Sequence, residues 1–307
     1  MLILLIPIII LLLLVLSIIS FIRRSLIAGA IFLIAAIGIN FYTETFPLHL
    51  SYFYNKMPHQ KEDVNQIRIL TYNIKYNSEY LRHNKDSLNS ILEFFKQQKA
   101  DIVVLPESRL NSTNKILYNR LQEIYPYNIC SDYAGNDFYI ETFVFSRYPI
   151  SHTKGYSKHY IYEMNVNLLN NKVIKLIACH LESNQSNSSL SGGEGIIGNL
   201  QKGFEKRIKE AQMICDSLKN YQGPLIIVGD FNDISGSKAL NILQDNLELN
   251  DAWWKSGFGY GTTSISKKLF FRLDHILYSN HFKSIAIDIP KAEFSDHYPL
   301  ITDLMIH

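Results

Sequence analysis

The sequence holds 307 residues, 47% of them hydrophobic, with 30 Lys plus Arg against 28 Asp plus Glu. That apolar content excludes a disordered chain, and a formal net charge of +2 at pH 7 lacks the cationic excess of nonspecific nucleic-acid binders, although a metal-dependent nuclease needs no such excess. Three cysteines, Cys130, Cys179 and Cys215, lack metal-ligand spacing and allow at most one disulfide; none is expected.

The apolar residues are unevenly placed. Leu2 to Phe21 (LILLIPIIILLLLVLSIISF) is a near-continuous apolar run of the length that crosses a ~30 Å hydrocarbon core as a helix. A cleaved signal peptide is the alternative, but no basic residue precedes the run, and it exceeds the ~7 to 15 apolar residues of such peptides. Leu26 to Phe41 (LIAGAIFLIAAIGINF) is shorter, at or just below the ~17 to 25 residues that span, and is expected to span too. Arg23 and Arg24, between the runs, are the only charges in residues 1–42. Short basic loops stay cytoplasmic. Residues 1–42 are therefore expected to form a transmembrane helical hairpin, integral to a plasma or inner membrane, with the rest of the chain extracytoplasmic. If the second run only lay in the interface, the rest would be cytoplasmic instead.

Residues 43–65 form the connector, whose stretch SYFYNKMPHQKED is polar and without periodicity. The folded domain is expected over 66–307. QIRILTYNI alternates as a strand does, and DSLNSILEFFKQQ sets Leu88, Ile91, Leu92 and Phe95 on one helical face. DIVVLPES, ETFVFS, VIKLIACH and PLIIVG read as further strands, and the Ser/Gly/Asn-rich stretch from Leu181 to Gly203 as a long surface loop before a helix around Phe204 to Leu218. RLDHILYS, KSIAIDIP and FSDHYPLITDLMI close the chain with more strand-like runs. Two of the 30 basic residues lie in the hairpin, so the remainder carries 28 against 28 acids and is formally neutral.

Strand-like runs repeatedly end in the same kinds of side chain: Asn73 in LTYNI, Glu107 in VVLPES, His180 and Glu182 in IACHLES, and Asp230 and Asn232 in IIVGDFND. Asp274 opens RLDHI, and SDHYP adds Asp296 and His297. Singly, an Asp or Asn after a strand is turn chemistry. Brought to one edge of a sandwich, these residues would make a cluster of hard oxygen ligands with imidazoles and amides beside it. Mg²⁺ prefers such oxygen ligands, keeps several waters and is commonly shared with substrate phosphate. A carboxylate that orients water, and His and Asn donors that face the developing charge, complete a phosphoester-hydrolysing set.

In their order, GDFN and SDH, supported by TYNI, PES, HLE and RLDHI, resemble the motifs of the endonuclease/exonuclease/phosphatase family, the DNase I-like superfamily, over roughly Gln66 to Leu304. The resemblance implies an α/β four-layer α-β-β-α sandwich with a divalent-metal phosphoesterase site at one edge of its sheets. It implies Glu107 as the principal ligand of Mg²⁺ or Mn²⁺, with Asn73 and Asp296 close to the metal. Asp230 would align or activate the water and Asn232 hold a phosphate oxygen. His180 and His297 would stabilise the transition state, and Asp274 would orient His297. Pro106 and Cys179 depart from the family pattern beside the chemistry, where Gln and Thr are frequent. Arg147 in FSRYPI is a candidate phosphate contact, whereas Glu182 and His275 have open roles and Trp253 and Trp254 read as core and rim packing.

The expected function is a membrane-anchored, metal-dependent phosphoesterase. Its substrate would be nucleic acid, a phospholipid or sphingolipid headgroup, or a lipid-linked phosphate, and no protein partner is expected. The alternative is an inactive membrane-anchored binding protein of the same fold, whose signature would be loss of the Glu107, Asp230 or His297 equivalents; all three are present.

Overall fold

The computed structural model describes residues 2–54, 63–75, 85–108, 115–129, 142–156, 161–169, 171–183, 196–265 and 270–307. At the N-terminus, α1 (Ile6–Ile22) and α2 (Leu26–Thr43) pack side by side as a hairpin that turns at Arg23 and Arg24. Ser17 Oγ donates to the carbonyl of Gly29 at 2.8 Å, and the Phe21 ring lies so close to Gly29 that a Cβ there would meet it at 2.7 Å. Small residues let two apolar helices approach in this way. The second helix, at 18 residues, is long and apolar enough to cross a membrane; the first has 17 and follows a short 3₁₀ turn, Leu2–Leu5. By regular α-helix alone, the second run is thus the longer of the two.

The strands, in chain order, are β1 (Gln66–Thr71), β2 (Ile102–Pro106), β3 (Tyr127–Ile129), β4 (Thr142–Ser146), β5 (Ile150–Tyr156) and β6 (Ile161–Asn167). They continue as β7 (Val173–His180), β8 (Leu225–Asp230), β9 (Leu249–Asp251), β10 (Asp274–Ser279), β11 (Phe282–Asp288) and β12 (Leu300–Ile306). Between them lie the helices α3 (Lys85–Gln98), α4 (Lys115–Ile124), α5 (Ile196–Leu218), α6 (Lys238–Leu247) and α7 (Ala252–Ser256). One mixed sheet has the order β11-β12-β1-β2-β4-β3 and the other β5-β6-β7-β8-β10-β9.

Each sheet is built around one parallel pair, β1–β2 or β7–β8, flanked by antiparallel neighbours. The layers follow from the period-2 alternation of side chains along a strand. Leu176, Ala178, Ile226, Val228 and Ile276 join the core shared with the first sheet. Ile177, Cys179, Leu225, Ile227 and Leu277 face Ala211, Ile214 and Leu218 of α5 and Leu240 and Leu243 of α6. Ile91, Leu92 and Phe95 of α3, with Leu117 and Leu121 of α4, pack into the core of the first sheet. The architecture is the expected α/β sandwich, two mixed sheets flanked by helices.

One sequence expectation needs correction. The stretch to Gly203 is not loop throughout, because α5 begins at Ile196 and runs through Gly198 and Gly203; residues 184–195 lie outside the described residues. Within the connector, Leu50–Phe53 forms a 3₁₀ turn in which Tyr52 stacks edge-on against Trp253 and donates to Asp288 Oδ1 at 3.3 Å. Residues 55–62 of it lie outside the described residues, as does Cys130, while Cys179 and Cys215 are free thiols.

Candidate active site

Strand direction decides which tips meet. The parallel pairs end together: Thr71 and Pro106 close β1 and β2, and His180 pairs with Asp230 across β7 and β8. The antiparallel strand β10 starts at that same edge, with Asp274 opposite Asp230. β12 likewise starts there, Leu300 pairing with Thr71, so the preceding Asp296 and His297 arrive beside Asn73.

The result is a connected cluster. Asn73, 1% exposed, donates from Nδ2 to Glu107 Oε1 at 3.0 Å and to Asp230 Oδ2 at 2.9 Å, so one amide bridges two carboxylates. His180 Nε2 lies 3.8 Å from Glu107 Oε1, and His297 Nε2 lies 3.8 Å from Asp230 Oδ2. Asp274 Oδ2 is 2.7 Å from His297 Nδ1, and its backbone N–H donates to Thr263 Oγ1. Burial works against an imidazolium at His297, yet the carboxylates of Asp274, Asp230 and Asp296 outweigh it, and the pKa is pushed up to about 10. The ring therefore stands as a cation in the presence of these acids.

The local backbone is as specialised as the side chains. Glu107 and Asn232 take left-handed φ values of 50° and 49°, uncommon for residues with a Cβ. Gly229 has φ of 147°, and a Cβ on it would lie 1.8 Å from the carbonyl oxygen of Cys179. The glycine lets β8 approach β7 closely enough to set Asp230 beside His180. Gly229→Ala is expected to cost at least ~3 kcal/mol, as backbone clash and strain combine; urea unfolding that gave a loss under ~1 kcal/mol would contradict this close approach.

The motif IIVGDFND divides by direction. Asp230 faces the cluster and accepts from the Asn232 N–H at 2.8 Å. Asn232 ties its Nδ2 to the Leu181 carbonyl at 2.9 Å, joining the ends of β7 and β8. Asp233 turns away to the buried Arg207 of α5, whose Nε is 3.1 Å from its Oδ2; Arg207 also donates to the Glu182 carbonyl. Glu182 thus belongs to the α5 side, with its side chain on Lys206 at 2.8 Å. His275 points into the opposite layer, where it meets Asp251 and the Asp233 carbonyl.

Asp296 stands at the rim, its Oδ2 2.7 Å from Lys75 Nζ. Burial would raise its pKa, but the Lys75 hydrogen bond and the His297 charge hold it below the usual carboxylate range. Lys75 escaped the sequence reading; its only signal was a position two residues after Asn73. Arg147 is misplaced by that reading. Ser146, the last residue of β4, pairs with Ile102, the first of β2, so Arg147 lies at the opposite end of the sheet, over the Tyr125 ring at 5.8 Å.

The donor set fits a small divalent cation. Single ligand atoms from Glu107, His180 and Asp230 lie within 4.8 Å of one another, as do those of Asp230, Asp274 and His297. Carboxylate oxygens dominate, as hard cations require. Asn73 meets its two carboxylates through nitrogen, so ligation by its oxygen needs the amide turned over.

The family model described as "Endonuclease/Exonuclease/phosphatase family" matches residues 70–297. A search of curated protein sequences gave no match. Among solved structures, the endonuclease/exonuclease/phosphatase from Bacteroides vulgatus is similar, with 18% identity and TM-score 0.57 over 79% of this chain and 99% of that one. Sphingomyelinase C from Streptomyces griseocarneus has 18% identity and TM-score 0.55 over 78% and 99%. Beta toxin from Staphylococcus aureus, a mutant with bound magnesium ions, has 17% identity and TM-score 0.53 over 77% and 99%. At these identities the structures establish a shared fold, but the sequence match runs from β1 to His297 itself, and on that ground this chain belongs to the endonuclease/exonuclease/phosphatase family.

Proposed function

We propose that this chain is a divalent-metal-dependent phosphoesterase held at a membrane by its N-terminal hairpin, with the catalytic edge on the extracytoplasmic side. The observation that carries the reading is the unbroken run Glu107–Asn73–Asp230 with the Asp274–His297 pair 3.8 Å beyond it. Glu107, with Asn73 and Asp296 beside it, would hold Mg²⁺ or Mn²⁺; magnesium bound to the beta-toxin neighbour supports the choice of ion. When bound, the cation supplies Lewis-acid polarisation of the phosphoryl group and charge neutralisation of the leaving oxygen.

The chain's own residues do the rest. Asp230 orients water and receives its proton, the role suited to a carboxylate fixed by two hydrogen bonds. His297, kept protonated by Asp274, faces the equatorial phosphoryl oxygens from one side and His180 from the other. Asn232 holds a phosphate oxygen and keeps the strand ends joined. The anchor and the neutral domain favour a phosphoester at the bilayer, a lipid headgroup or lipid-linked phosphate, over chromosomal nucleic acid.

The test is turnover by the full chain in detergent on sphingomyelin, a polyprenyl pyrophosphate and single-stranded DNA, with Mg²⁺ or with chelator. One substrate is expected to be consumed only with metal, and Glu107→Gln should raise the Mg²⁺ concentration for half-maximal rate by at least about tenfold. Equal rates in chelator, or an unchanged metal requirement in the variant, would refute the assignment.

A further inference from the structure

A cavity of about 620 Å³ lies where the hairpin meets the sandwich, within the ~300–1,000 Å³ range of small-molecule sites. Ile10 and Leu14 of α1 and Ala36 and Ile37 of α2 line one side; Leu48 and Trp254 line the other. The walls are fixed in place. Phe41 meets Trp254 edge-on at 5.8 Å, and Leu48 bridges to Phe258. Two of the polar lining groups, Asn40 and His49, are used internally. Asn40 both donates to and accepts from the Phe46 backbone, at 3.0 and 2.7 Å, and His49 Nε2 meets the Trp254 carbonyl at 2.9 Å. What remains inside is apolar.

Two further observations say what fills it. Leu11, Ile37 and Phe41 expose 53%, 46% and 67% of their surface on the same stretch of the hairpin, next to the sandwich, so the cavity opens toward the leaflet on the domain side. Lys255, an exposed cation on the lining, makes no ion pair within 4.0 Å among the described residues, and its charge favours the ionised form of the Glu44 carboxylate. An apolar slot open to hydrocarbon with an ammonium at its rim matches a long alkyl chain ending in an anionic phosphate.

We infer that this cavity seats one acyl chain of an anionic phospholipid, with its phosphate at Lys255. The inference rests on the hairpin's membrane insertion but not on the catalytic reading. The segment that pairs with Leu48 at Phe258 pairs with His297 at Ser264, six residues on and no more than ~20 Å away. A lipid held here fixes how that edge stands over the bilayer.

The experiment reconstitutes the full chain in phosphatidylcholine vesicles containing phosphatidylglycerol with a diazirine on its acyl chain. Vesicle flotation is scored first, and cross-links are then mapped by mass spectrometry. Label is expected on Ile10, Leu14, Ile37 and Trp254 and should be lost in Ala36→Trp, which fills the slot. Lys255→Glu, an exposed change that keeps the fold, should reduce the preference for phosphatidylglycerol over an equally labelled phosphatidylcholine by at least about fivefold. A chain that floats but takes label evenly on Ile8, Ile34 and the cavity, or that shows no headgroup preference, overturns the inference and leaves the anchor standing. A chain that does not float overturns both, while metal-dependent turnover in detergent would be untouched.

Discussion

Asp230→Asn is expected to lower turnover by about 10²- to 10⁴-fold, the range that a positioned acid or base contributes, while leaving the fold intact. The side chain keeps its shape and loses the charge that receives the proton of water. Its structural role is divided. Oδ1 accepts from the Asn232 N–H and Oδ2 from Asn73, so the amide forfeits one of two hydrogen bonds, a cost of ~1 kcal/mol. Against this, a carboxylate is removed from beside Asp274, whose pKa is raised mainly by burial and further by the Asp230 charge. Loss of the Asp230 attraction to the His297 cation adds to the cost, relief at Asp274 offsets it, and the melting temperature should move by no more than about 4 °C. A variant that turns over at the wild-type rate would remove Asp230 from the chemistry. One that unfolds would make it a structural residue, as Asp233 is through Arg207.

What the sequence could reveal follows from which forces act locally. Strand tips such as Asn73, Glu107, His180 and Asp230 were legible because apolar alternation stops abruptly at each, and their order carries the family resemblance. Which edge a tip reaches depends on strand direction, a tertiary property. Arg147 and Asp230 both follow apolar strands, yet β4 runs antiparallel to β2 and carries Arg147 to the far edge. The start of α5 was hidden for a different reason. Gly198 and Gly203 each cost a helix ~1 kcal/mol relative to alanine, and local propensity therefore reads as loop. Packing of Ala211, Ile214 and Leu218 on β7 and β8, with the buried Arg207–Asp233 pair, extends the helix over them. Lys75 was illegible because its partner Asp296 lies more than two hundred residues away in the chain.

The Asp274–His297 pair carries the other large effect, and its signature is in pH. Asp274 is the foremost of the acids that hold His297 at about 10 against its ordinary 6.5. Asp274→Asn should therefore lower kcat by about 10²- to 10⁴-fold, because the ring loses the carboxylate that orients it and the foremost of the charges that hold its proton. The apo protein in chelator gives an independent readout. A histidine whose pKa is raised by folding contributes stability that is fully present below its unfolded value near 6.5 and is lost as pH rises to about 10. The melting temperature of the wild type should thus exceed that of Asp274→Asn most at pH 6, and the gap should close as pH rises through that window. A gap independent of pH would mean that the buried ring is neutral throughout. The positive charge facing the phosphoryl oxygens would then have to come from Lys75, 2.7 Å from Asp296 at the rim, and Lys75→Met, rather than His297→Ala, would be the substitution that removes it.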